Sequence, residues 1–150
     1  MRERTLPRAT ALGLATALAL ALTASASAQD LTAQPPPEPW VNVATILELP
    51  EFVPGAGALY VDPANAPVGP WLAYGTDGSL VEVLFMVPVS EMRNGVNWDD
   101  LAGGLLAQLG LTVDHVDVTF NGGHPGMAEP HYHVRLAFVD HATQTSLLTQ

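Results

Sequence analysis

The feature that most limits the fold is a pair of apolar runs, residues 71–75 and 80–87, flanking Thr76-Asp77-Gly78-Ser79. Asp-Gly between two such runs predicts a β-hairpin, because the tight turn needs positive φ, which glycine adopts without a Cβ penalty. The second arm, LVEVLFMV, is apolar at odd and even positions alike, Glu82 excepted. A strand buries both faces only inside a sheet covered on both sides. The rest of the chain must therefore supply a layer above this strand and a layer below it.

The remaining elements follow from periodicity. Residues 41–49 alternate weakly, residues 57–62 read as a short strand, and the prolines of 63–70 mark a loop. Asn97 reads as the N-cap of a helix, with Asp99 and Asp100 at its positive end and Gly110 as its stop. Trp98, Leu101, Leu105, Leu106 and Leu109 give that helix one apolar face. Residues 112–120 alternate, which sends Val116, Val118 and Phe120 toward a core and His115, Asp117 and Thr119 away from it. After a loop at 121–130, residues 131–139 form another strand, with Tyr132, Val134, Leu136 and Phe138 on its apolar face. Asp140 caps a short terminal helix. The expectation is an α+β fold: a mainly antiparallel sheet with one amphipathic helix packed on it and a short C-terminal helix.

Residues 1–28 have the order of a secretory signal peptide: Arg2, Arg4 and Arg8, then an apolar run, then Ala26-Ser27-Ala28. The run, residues 9–24, is shorter than the roughly 20 residues that span a bilayer. Cleavage after Ala28 would place the protein in the periplasm or outside the cell. Residues 29–39, with three consecutive prolines, read as an extended linker, and residues 40–150 as a single globular domain. The chain has no cysteine, which excludes disulfides, thiol chemistry and thiolate-held metals. Its formal charge is −10, and beyond residue 28 its only basic residues are Arg93 and Arg135. Such a surface repels phosphate backbones and anionic membranes and attracts cations, so neither nucleic acid nor, after cleavage, a membrane is an expected partner.

All 5 histidines fall between residues 115 and 141. If the last two strands pair, His115 and Asp117 share a surface with His131, His133 and Arg135, and the connecting loop brings His124 and Glu129 to its end. An H-x-H pair on a strand sets two imidazoles on one side, about 7 Å apart at Cα. His124, His131 and His133 are the first candidate ligands, a set suited to one divalent transition metal, zinc or copper. His115, Asp117, Glu129 and Arg135 are secondary. A solvated polar sheet face would show the same alternation, and Arg135 repels a cation. No nucleophile elbow, zinc-protease helix, phosphate loop or dinucleotide fingerprint occurs.

Residues 113–139 resemble a family of small exported bacterial domains of unknown function. Its signature is a strand H-V-D-[IV], a loop G-H-x-[PG] and a segment P-H-[YF]-D-x-H. The matching residues are His115-Val116-Asp117-Val118, Gly123-His124-Pro125-Gly126 and Pro130-His131-Tyr132-His133-Val134-Arg135. Pro67-Val68-Gly69-Pro70 and Phe85-Met86-Val87 extend the resemblance upstream, to about residues 57–139. The family's Asp is His133 here, and its second His is Arg135. If the family site is a metal site of His, His, Asp and His, the resemblance implies that His124 and His131 are kept and His133 stands in for Asp. Arg135 has no lone pair to donate and cannot replace a ligand. The resemblance implies a fold neighbourhood and no activity.

The first reading is an exported domain that binds a metal ion or small ligand through this cluster without catalysis. One alternative is a metal-assisted hydrolase or lyase, with His133 or Glu129 as general base and Arg135 holding an anionic substrate. Another is a structural or self-assembling module, a homo-oligomer whose histidines are hydrogen-bonded sheet residues.

Overall fold

The computed structural model describes residues 30–149, so the signal-peptide segment lies outside the described residues. The fold is α+β. Six strands form one antiparallel sheet: β1 (Val41–Asn42), β2 (Ala58–Val61), β3 (Trp71–Tyr74), β4 (Leu80–Pro88), β5 (His115–Asn121) and β6 (His131–Ala137). Their order across the sheet is β1-β2-β3-β4-β6-β5, so β5 is an edge. The helices are α1 (Val89–Arg93), α2 (Gly103–Leu109) and α3 (His141–Leu148). None of the described helices is long and apolar enough to cross a membrane.

The β3–β4 hairpin forms where Asp77-Gly78 indicated, and all nine residues of β4 are buried. Two cores explain this. Val83, Phe85 and Val87 join Leu72 and Tyr74 on one face, under α2 and its flanking residues. Leu84 and Met86 join Val61, Trp71 and Met127 on the other, beneath Leu47, Leu49 and Val53. Residues 30–39, read as an extended linker, instead run through bends and a turn at Glu38–Pro39 and pack on the folded unit. Leu31 is buried in the first core, Ala33 bridges Ser79, and the Tyr74 hydroxyl donates to the Leu31 carbonyl at 2.8 Å.

Three expectations are corrected. The segment 41–49 is a strand for only two residues, then a 3-10 turn capped by the Asn42 side chain. The helix expected from Asn97 begins at Gly103, because Asp100 and Ala102 adopt positive φ and break any earlier start. Its apolar side chains still pack on the first core, and Gly110 still ends it with positive φ. Val116, Val118 and Phe120 do not enter the core. They are 54%, 60% and 62% exposed, because β5 is the edge strand and the helical layer stops over β6. The Asp140 cap holds: its carboxylate accepts from the N–H groups of Ala142 and Thr143.

Candidate metal centre

The β5–β6 register sets His115 against Ala137, Asp117 against Arg135, Thr119 against His133 and Asn121 against His131. Cross-strand partners share a face, so His115 and Asp117 do lie on the surface of His131, His133 and Arg135. That surface is the second core's face, since Leu84 pairs Arg135 and Met86 pairs His133. Consequently the polar face of β6 is partly covered, and His131 is fully buried.

His124 arrives from the connecting loop. Pro125 and Gly126 form a tight turn in which His124 and Met127 exchange backbone hydrogen bonds at 2.9 and 3.0 Å. Gly126 takes φ +90°, the positive value a type II turn needs at its second central position, and Pro125 suits the first. Met127 then anchors the turn in the second core. A Cβ at Gly123, where φ is +123°, would collide with the Ala128 backbone, so this glycine sets the loop's entry.

The three side chains converge through one atom each. Nε2 of His131 lies 3.0 Å from Nε2 of His133 and 3.2 Å from Nε2 of His124, and the last pair is 3.3 Å apart. Their proton inventory follows from the opposite ring nitrogens. Nδ1 of His131 donates to the Glu129 carbonyl at 2.7 Å, and Nδ1 of His124 donates to the Pro125 carbonyl at 2.8 Å. A carbonyl can only accept, so both Nδ1 atoms carry the proton and both neutral rings present a bare Nε2. Two lone pairs facing each other at 3.2 Å repel unless a proton or a cation lies between them. Burial, then Arg135, His131 and His124, push the His133 imidazole down to about 4, so the ring is neutral at neutral pH. Backbone carbonyls that orient ligand imidazoles are the usual outer support of a metal site.

Glu129, a secondary candidate, serves through its backbone. Its carboxylate accepts from the Ser90 hydroxyl at 2.6 Å instead. Arg135 places Nη1 3.4 Å from Glu82 Oε1 and 3.3 Å from the Gly55 carbonyl oxygen. Glu82 is fully buried and is held by Gln144, whose Nε2 donates to it at 2.6 Å. Burial pushes the Glu82 carboxyl up, against the opposing pull of Arg135. Sequence reading did not place Glu82 or Gln144 in the site. The available signal was Glu82 itself, the lone charge in a strand with no solvent-facing side.

A second group, His115, Asp117 and His141, also gathers ligand atoms within 4.8 Å. Its chemistry is different. Nδ1 of His115 faces the Asp114 carboxylate at 3.0 Å and Nε2 faces the Gln144 carbonyl oxygen at 3.2 Å. Both neighbours accept, an arrangement that favours the doubly protonated ring over one with a lone pair to give. The Asp114 hydrogen bond pushes the His115 imidazole up. In the metal-free protein, imidazole NMR is therefore expected to show His115 titrating above the ordinary histidine value and His133 near 4. The reverse order would contradict the assigned proton positions.

The geometry defines a class: a small α+β domain with a half-buried three-histidine cluster around the buried His131. No protein-family model matches the chain, and no curated protein does. A solved structure does match: the crystal structure of hypothetical protein TTHB210 from Thermus thermophilus, 44% identical, TM-score 0.61. The match covers 67% of this chain and 93% of that one. The chain belongs to the same family as that protein.

Proposed function

We propose that this protein is an exported metal-binding domain in which His124, His131 and His133 hold one divalent transition ion. The observation that carries the reading is the meeting of three Nε2 atoms, two of them bare, within 3.3 Å. A tetrahedral ion with bonds of about 2.0–2.1 Å sets its ligands about 3.3–3.4 Å apart, close to this triangle. A square-planar Cu(II) site would put two of three nitrogens trans, about 4 Å apart. The near-equal sides favour zinc. The net charge of −10 adds a long-range attraction for cations.

Three protein ligands with a fourth position free also suit metal-assisted hydrolysis. A general base is needed beside the reacting water, and the nearby carboxylates are committed elsewhere, Glu129 to Ser90 and Asp117 to the His115 group. Binding is therefore preferred to catalysis.

Zinc titration of the purified protein followed by calorimetry is expected to show one equivalent bound. His131→Ala and His133→Ala are each expected to weaken binding at least about 100-fold, while His141→Ala leaves it unchanged. Equal affinity in all four proteins would reject the site.

A further inference from the structure

Beside the three histidines lies a cavity of about 330 Å³. Its floor is Leu84 and Met86, and Leu49, Val53 and Leu59 wall it. Its polar lining is sparse: Asn121, His124 and His133 at one end and Arg135 at the other. The size is at the small end of ligand pockets, and a few polar groups in an apolar wall is their usual composition.

The charges at the two ends select the occupant. The three imidazoles are neutral in the ligating state, so an ion on them brings its full charge. Arg135 brings another positive charge, paired with Glu82 and set opposite Asp117 across the strands. An ion on the imidazoles gives that end of the cavity a positive excess, which an anion matches. The named contacts of Arg135 fall on Nη1, and its Nε is buried without a partner, so the guanidinium fork is not fully used. His133 and Arg135 are two residues apart on one face of β6, about 7 Å at Cα. A carboxylate spans that interval, with one oxygen on the ion and the other toward the guanidinium. The aliphatic wall leaves no polar partner for whatever follows the carboxylate.

Resting on the metal reading, we infer that the cavity binds a short-chain monocarboxylate. Its carboxylate lies between the metal's open position and Arg135, and its hydrocarbon tail lies against Leu49, Val53 and Leu59.

The test uses cobalt(II), whose visible spectrum reports its ligands. The cobalt-loaded protein is titrated with acetate, butyrate, hexanoate, butanol and inorganic phosphate. Each buried methylene tightens binding about fourfold, so hexanoate is expected to bind on the order of 100-fold more tightly than acetate. Butanol and phosphate are expected to leave the spectrum unchanged. Ala56→Leu, which fills the cavity wall, is expected to erase the chain-length preference without altering cobalt affinity. Arg135→Lys is expected to weaken hexanoate about tenfold, because a point charge replaces the fork. A spectrum indifferent to carboxylates, or equally sensitive to acetate and hexanoate, overturns this inference and leaves the metal site standing. A preference for phosphate assigns the pocket to another anion and overturns it too. Failure of cobalt to bind overturns both.

Discussion

Glu82→Ala is expected to lower the unfolding free energy by about 3–5 kcal/mol, because it leaves one member of a buried ion pair without its partner. The carboxylate is fully buried on β4, 3.4 Å from Arg135 Nη1 and 2.6 Å from Gln144 Nε2. Removing it strands a guanidinium whose side chain is 19% exposed and whose Nε already lacks a partner, together with a buried amide. Glu82→Gln keeps an acceptor for Gln144 and is expected to cost less, about 1–2 kcal/mol. The double change Glu82→Leu with Arg135→Met should recover most of the loss, since apolar residues of similar volume replace a buried pair at little net cost. Urea unfolding of the four proteins measures all of this. A loss below about 1 kcal/mol in Glu82→Ala would mean that water reaches the pair and hydrates Arg135.

The same residue shows where sequence reading stops. The β3–β4 hairpin was legible because turn chemistry and the two-faced apolar pattern of β4 agree. The pattern also showed that β4 is covered twice, but not by what. One cover is residues 47–56, which have no period to detect, and another is α3, whose Gln144 meets Glu82. Alternation put His131 and His133 on the polar face of β6 without showing that this face lies over the second core, where His131 is fully buried. The error occurred on β5. Its valines and Phe120 alternate as core residues do, yet periodicity carries no information about which strand ends a sheet. The α2 start was misplaced because Ala102 adopts the left-handed conformation, which alanine rarely does, and Asp100, which can, reads equally well as a first-turn acid. The His124, His131 and His133 grouping was legible in outline from H-x-H and the adjoining loop. The carbonyls that fix the ring protons, from Pro125 and Glu129, were not, since any residue supplies a carbonyl.

Those carbonyls also set the size of the metal effect. A site whose rings are already oriented and whose lone pairs already converge needs little reorganisation, so binding energy appears directly as stability. Zinc at about 1,000 times its dissociation constant is expected to raise the unfolding free energy by about 4 kcal/mol. At the same zinc concentration His131→Ala should cut that gain to about 1.4 kcal/mol or less. The gain should also depend on pH, with a sign fixed by His133. Its folded value, about 4, lies below the ordinary histidine value of 6.5, so between these the unfolded chain binds the proton and the folded protein does not. The metal-free protein therefore loses this contribution as pH falls from about 6.5 toward 4, with solvent screening of the half-buried ring reducing its size. His115 works oppositely: its raised value makes its contribution fullest below the ordinary histidine range and lost as pH rises through its folded value. Zinc competes with protons for the same Nε2 atoms, so the zinc-dependent increment should shrink as pH falls and the metal-bound melting curve should converge on the metal-free one. A zinc increment that is the same in His133→Ala as in the unaltered protein would place the ion elsewhere than on the histidines.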